Sequence, residues 1–257
     1  MSGLPVHFVG AGPGAAELLT LRAAALLAHA DVVLYPGSYL DPQMLEKCSG
    51  AAELVDTAEM NLDAIVERLI SAQRAGRAVV RLVSGDPSLY SAVFEQTRRL
   101  DASGVPWDIT PGVPAYAAAA AVLGRELTVP LVTQSVVLTR VQAASTAMPQ
   151  REALGAFAAT QATLVVHLAI TRIAELMAEL AGEYGPDCPV AVVYRASQPD
   201  ELVLRGTISD IAEAVTRAGL RSAAVILVGR AVGPAHDSCG GESHLYDPDR
   251  CRDHHGD

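Results

Sequence analysis

Nowhere in the 257-residue sequence does an apolar run reach the roughly 18 residues that a membrane-spanning helix needs, so no membrane partner is expected. The opening residues, "MSGLPVHFVG", lack a basic segment followed by an apolar stretch. A secretory signal is therefore unsupported, and a cytoplasmic protein is expected. Positive charge is also scarce: 19 Lys and Arg face 29 Asp and Glu, for a formal net charge of -10 and a pI of about 5.1. General affinity for nucleic acid requires a basic patch, so no nucleic-acid partner is expected. A small anionic substrate stays open, because a few local arginines override the global field. The four cysteines, Cys48, Cys188, Cys239 and Cys251, form no C-x-x-C pair. Reduced cytosolic thiols are the simpler reading.

What is present is a large apolar fraction, half of all residues, arranged in strand-sized and helix-sized runs. The first half repeats one pattern: an apolar strand, a Gly/Pro corner, then a helix. "VHFVG" leads into "AGPGAAELL", and Thr20 has the place of an N-cap before "LRAAALLAHA". "DVVLYPGSYL" supplies a strand ending at Pro36–Gly37, and "NLDAIVERLISAQRAG" an amphipathic helix closed by Gly76. "RAVVRLVSGDPSLYSAVFEQTRRL" repeats strand, corner and helix, and "WDITPGVPAYAAAAAVLG" adds a third corner before an alanine-rich helix. The second half holds the strands "TQSVVLTR", "TLVVH", two joined by a polar turn in "CPVAVVYRASQPDELVLRGT", and "SAAVILVGRAV", with helices between them. In the first half, strands alternating with helices predict a mainly parallel sheet, and the second half reads as a second α/β unit. Ligands of such sheets bind beyond the carboxyl ends of the strands. The corners Gly10–Gly14, Ser84–Pro87 and Pro111–Pro114 are expected to share that edge. The boundaries expected are residues 1–115 for an N-terminal domain with the glycine loop, 116–235 for a C-terminal domain, and 236–257 for a loose tail.

The stretch "HFVGAGPGAAELLT", residues 7–20, has Gly10, Gly12 and Ala15 in the spacing of a dinucleotide-binding loop. Its context argues otherwise. In that fingerprint the loop opens the helix directly and the helix N-terminus holds the pyrophosphate. Here the helix start is Thr20, and Pro13 removes an N–H from the loop. The acid that should end the second strand is missing too, since Asp31 stands at its beginning and Pro36 at its end. A tight structural turn is the alternative for one loop alone. Three such corners on one edge favour a ligand-lined trough.

"VGAGPGAAELLTLRAAALLAHADVVLY", "RLVSGDPSLYS" and "PGVPAYAAAAAVLG" together resemble the tetrapyrrole methyltransferase family, over residues 5 to about 233. Within it, "YPGSYLDPQML", "TAEMNLDAI", "TQSVVLTR", "AMP" and "PVAVVYRASQPDELVLRGTI" most resemble the precorrin-4 branch, which acts at carbon 11; cobalt-precorrin-4 and other precorrins remain the alternatives. The resemblance implies two α/β domains, with S-adenosylmethionine and the active site in the trough between them, and a homodimer. It places the cofactor at Pro13, Ser84, Gly85, Asp86, Leu89, Pro114, Ala115, Leu168, Ala196 and Ala224. Relatives often have Ser or Thr where this chain has Pro114 and Ala115, which leaves backbone groups to bond the cofactor there. The glycine loop, Gly10, Gly12 and Gly14, then forms the floor for a tetrapyrrole.

For Asp86, just before Pro87, the alternative to cofactor contact is an Asx-turn or N-cap role, and the two are compatible. A tetrapyrrole bearing many carboxylates calls for arginines, whose planar fork pairs with carboxylate. Arg140, at a strand end, is the first candidate and Arg195 the second; for each, a solvated surface residue is the alternative. Tyr90 and Tyr116 follow two corners and line the trough or pack in the core. Relatives acting earlier in the pathway have an acid–base Asp where this chain has Pro36, so no catalytic residue is assigned. His167, on an apolar strand, reads as a core histidine, and His7 and His29 as ordinary ones. Cys239, His244, Cys251, His254 and His255 bring zinc-type ligands into the tail, but C-x4-H-x6-C-x2-H fits no usual zinc spacing and no metal is expected.

Overall fold

Short β-branched runs bounded by Gly and Pro become strands, and the alanine- and leucine-rich runs between them become helices. The computed structural model describes residues 3–37, 40–141, 147–234 and 243. These form two α/β units. One reaches to Ala119 and takes in Arg195–Glu201; the other runs from Ala120 to Tyr194 and from Leu202 onward. Among the described residues, no helix is long and apolar enough to cross a membrane.

The first unit is built on a five-stranded sheet of β1 (Val6–Gly10), β2 (Val32–Tyr35), β3 (Glu53–Asp56), β4 (Val79–Val83) and β5 (Trp107–Thr110). The order is β3-β2-β4-β1-β5, and every pairing is parallel. All four residues of a strand such as β2 cannot alternate in and out when both faces are covered, and Val32, Val33 and Leu34 are fully buried. One face packs under α2 (Leu62–Arg74) and α3 (Val93–Ala102), with Phe8, Leu34, Leu69 and Leu100 at its centre. The other packs Val9, Val33 and Leu82 against α1 (Leu21–His29) through Leu27, and against Met44. Each such side chain contributes about 1.5–3 kcal/mol on burial. Phe8 and Trp107 add an edge-to-face contact at 6.5 Å between ring centroids. Thr20 caps α1, its Oγ1 accepting from the Ala23 N–H at 3.1 Å, and Asn61 caps α2 by accepting from Ala64 at 2.9 Å. Gly76 follows α2 with φ +75°, the left-handed turn that ends a helix. α4 (Ala115–Leu123) follows the third corner.

A charged residue lies inside this sheet. Arg81, mid-β4, is 6% exposed and forms no ion pair among the described residues. Its Nη1 donates to Thr57 Oγ1 at 3.1 Å and its Nε to Gln96 Oε1 at 3.3 Å, while Thr57 Oγ1 donates to the Tyr35 carbonyl at 2.9 Å. Burial pulls its pKa down to about 10. The chain ties α3, β4 and the end of β2 together through one guanidinium.

The second unit holds β6 (Val136–Arg140), β7 (Thr163–His167), β8 (Pro189–Tyr194), β9 (Leu202–Thr207) and β10 (Ala224–Val228), in the order β6-β7-β10-β8-β9. This second sheet is mixed. Only β6 and β7 run parallel; β10 is antiparallel to both β7 and β8, and β8 and β9 form an antiparallel hairpin. A short polar connection between β8 and β9 permits nothing else, because a parallel crossover needs a dozen residues or more. Helices α5 (Leu154–Ala158), α6 (Ile173–Tyr184) and α7 (Ile211–Ala218) cover a core of Leu164, Val166, Leu176, Leu180, Val192, Ile211 and Ile226.

Candidate active site

The three corners of the first unit interlock. Gly12 and Gly85 exchange backbone hydrogen bonds, Gly12 N–H to Gly85 O at 3.1 Å and Gly85 N–H to Gly12 O at 2.8 Å. Both need a left-handed backbone, with φ +75° and +66°. Gly112, in the third corner, lies so close that a Cβ on Gly10 would sit 2.5 Å from its nitrogen, and a Cβ on Gly112 2.3 Å from the Gly85 oxygen. Side chains at these positions would drive the corners apart. The sheet edge is therefore lined by closely packed backbone, with the Gly12, Gly85 and Gly112 N–H groups bonded within the junction.

Asp86 holds this junction. Its Oδ2 accepts from the Gly112 N–H at 2.9 Å and its Oδ1 from the Ser88 N–H at 2.8 Å, with the Ser88 hydroxyl donating to Oδ1 as well. The second bond is an Asx turn, so the structural role for Asp86 is realised. Burial pushes the carboxyl up, but the bonds from Ser88 and Gly112 outweigh it and hold it below the ordinary aspartate value. Ser84 is exposed beside it, Leu89 is half-buried with its N–H on the Asp86 carbonyl, and Pro114 O accepts the first bonds of α4 from Ala117 and Ala118. Ala115 and Tyr116 open α4, where helix geometry leaves the N–H groups without intrahelical acceptors.

The glycine loop is already occupied by its own chain. The Pro13 carbonyl accepts from Gln198 Nε2 at 3.1 Å, and the Ala15 N–H donates to Ser197 Oγ at 3.1 Å. Pro13 and Gly14 are buried. With α1 starting only at Leu21, neither the loop nor the helix behind it presents the donors that a pyrophosphate requires.

In the second unit Arg140, Leu168 and Ala224 fall on one sheet edge. Arg140 ends β6 opposite His167, which ends β7, and Leu168 follows. Ala224 pairs with Tyr194, the last residue of β8, after which Arg195 and Ala196 belong to the first unit. Because β10 is antiparallel to its neighbours, its beginning rather than its end reaches this edge. Leu168 is 68% exposed and Ala196 5%. Arg140 Nη2 donates to the Ala147 carbonyl at 3.4 Å, and Arg195 pairs with Asp200 at 2.6 Å. Tyr90, Leu168 and Arg195 have left-handed backbones, at φ +52°, +55° and +45°. Non-glycine residues adopt that region at a cost of roughly 1–2 kcal/mol, and such outliers concentrate at functional edges. Burial lowers the His167 pKa, which favours the neutral imidazole of a core residue.

Ser197, Gln198 and Arg81 escaped the sequence reading. "YRASQPD" marked the segment but not which of its polar side chains turn inward. Among the described residues, no group of three or more His, Cys, Asp and Glu could hold a metal ion. Cys239, His244, Cys251, His254 and His255 lie outside the described residues.

Comparison with known proteins points one way. A family model described as tetrapyrrole (corrin/porphyrin) methylases matches residues 5–212. The chain is 51% identical over 252 residues to a precorrin-4 C(11)-methyltransferase of Rhodococcus erythropolis, covering 98% of this chain and 100% of the relative. Among solved structures, a cobalt precorrin-4 methyltransferase of cobalamin biosynthesis superposes with a TM-score of 0.87 at 38% identity, over 90% of this chain and 96% of that one. A uroporphyrin-III C-methyltransferase from Thermus thermophilus, solved with S-adenosylhomocysteine, superposes at 0.75 and 31% identity, over 89% and 93%.

Proposed function

The chain belongs to the tetrapyrrole (corrin/porphyrin) methylase family, and from that membership we propose that it methylates precorrin-4 at carbon 11, with S-adenosylmethionine as methyl donor, in cobalamin biosynthesis. The observation that carries the reading is the interlocked edge of Gly10, Gly12, Gly85 and Gly112, a backbone cradle in which a Cβ on Gly10 or Gly112 would meet backbone and Gly12 and Gly85 require a left-handed φ. Beside it, the first N–H groups of α4, which have no intrahelical acceptors, suit a ligand with an adenine, a ribose and an amino-acid end. The edge does not fit a dinucleotide, whose pyrophosphate would find the Pro13 and Ala15 backbone already bonded to Gln198 and Ser197.

The cofactor positions proposed are Pro13, Ser84, Gly85, Asp86, Leu89, Pro114, Ala115, Leu168, Ala196 and Ala224. Asp86 acts there chiefly by holding the corners at their spacing. Gly10, Gly12 and Gly14 form the floor for the macrocycle, with Tyr90 and Tyr116 beside it. Arg140 and Arg195 meet its carboxylates, and Arg195 must then share its guanidinium with Asp200. When bound, S-adenosylmethionine supplies an already activated methyl group. What the chain must supply is alignment of the accepting carbon and exclusion of water, and these effects account for much of a barrier of this kind. No nucleophilic side chain is needed, and no general base is assigned. A cytoplasmic homodimer is the proposed working form, which light scattering of the purified chain tests.

The decisive assay incubates the chain with precorrin-4 and methyl-labelled S-adenosylmethionine. One labelled methyl per macrocycle, placed at carbon 11 by NMR, is expected. Transfer only to the cobalt-loaded macrocycle would reassign the substrate, and macrocycle binding without transfer would replace the enzyme reading with that of a carrier.

A further inference from the structure

The connection between β8 and β9 places two side chains on the glycine loop, and the function proposed above gives them no task. Ser197 Oγ accepts from the Ala15 N–H and Gln198 Nε2 donates to the Pro13 carbonyl, both at 3.1 Å. The two bonds bracket Gly14. A Cβ there would stand 2.2 Å from Gln198 Cγ, so the glutamine stem lies directly on the glycine. Before this point the loop is fixed by the Gly12–Gly85 exchange, and after it by the turn from Leu18 N–H to Ala15 O. Between them, Pro13 has no N–H to give. The two side chains therefore supply polar anchors where the loop's own backbone is poorest.

The anchoring segment is itself braced. Gln198 N–H bonds Arg195 O at 2.9 Å, Glu201 N–H bonds Gln198 O at 3.0 Å, and the Ser197 N–H donates to Glu201 Oε2 at 2.7 Å. Arg195 is paired with Asp200, and both Arg195 and Ser197 are held in left-handed conformations. A surface turn with no further role has no need of so many fixed partners, or of strained backbone at two of its residues.

We propose that Ser197 and Gln198 are positioning residues that hold Pro13–Ala15 in the path from which the loop receives the tetrapyrrole. This rests on the function proposed above, and the two side chains act through the loop. Four variants test it: Ser197→Ala, Ser197→Thr, Gln198→Ala and Gln198→Glu. The glutamate has the shape of glutamine but no donor for the Pro13 carbonyl. Amide exchange at Ala15, measured without ligand, should speed up about five- to tenfold in Ser197→Ala, the worth of one hydrogen bond, and stay slow in Ser197→Thr. The KM for the macrocycle should rise by a similar factor in Ser197→Ala and both Gln198 variants, with kcat within about twofold and Tm nearly unchanged. A normal KM in Gln198→Glu alone would reduce Gln198 to a space-filler and overturn the role. So would normal KM values in all four variants of an active protein. If the unaltered chain transfers no methyl group, the proposed function fails; exchange at Ala15, which needs no activity, then decides separately whether Ser197 holds the loop.

Discussion

Gly10 shows how little tolerance the candidate site has at the level of single atoms. The Cβ that Gly10→Ala introduces meets backbone of Gly112 and Gly85, which cannot rotate away as a side chain could. The variant should lose about 1–3 kcal/mol in urea unfolding, the usual cost of overpacking, and more of its cofactor affinity than of its stability. Asp86 makes a second residue-level prediction. Its folded carboxyl titrates below the ordinary value of 3.8. As pH falls, the unfolded chain therefore takes up its proton first, and the stabilisation present above that value is lost through the folded pKa. Asp86→Asn removes one acceptor and should be less stable than the unaltered chain near pH 6, with the gap closing as pH drops below about 4. Urea titrations across that range check the sign. A gap that widens in acid would show that the carboxylate is not the stabilising form.

At the scale of elements, the cap at Thr20 separates this chain from a dinucleotide binder, because it delays α1 well past the glycine loop. Thr20→Ala should cost about 1 kcal/mol of stability by removing the bond to the Ala23 N–H, and should leave ligand affinity nearly unchanged. Under a pyrophosphate reading the same change at a helix entry would weaken binding. Much of this was legible: the cap at Thr20, the turn at Gly76, the strand-final position of Arg140 and the shared edge of the three corners all followed from local residue chemistry. β3 was not, since "ELVD" is a four-residue edge strand with mostly exposed side chains and no apolar alternation. The antiparallel β10 was hidden as well, because a strand's direction depends on which neighbours it meets, not on its own residues. Ser197 reaches Ala15 across 182 positions of sequence, and no periodicity signals such a bond. Arg81 stands in an apolar strand with nothing in the local sequence to mark its partners, and only the structure shows Thr57 and Gln96 receiving it inside the sheet.

For the whole molecule, the acidic net charge and the carboxylate-rich substrate proposed for it pull in opposite directions, so local cations must decide. Arg140→Ala should raise the KM for the macrocycle at least several-fold while leaving S-adenosylhomocysteine affinity within about twofold, since one charge-assisted bond contributes about 1.5–3 kcal/mol. Unchanged KM would remove Arg140 from the substrate-facing edge. The central claim is that the interlocked glycine corners belong to an S-adenosylmethionine site and not to a nicotinamide one. Calorimetric titration of the purified chain with S-adenosylhomocysteine, and in parallel with NADH, tests it most directly. Saturable binding of S-adenosylhomocysteine at one site per chain and no heat from NADH are expected. Binding of NADH, or none of S-adenosylhomocysteine, would contradict it.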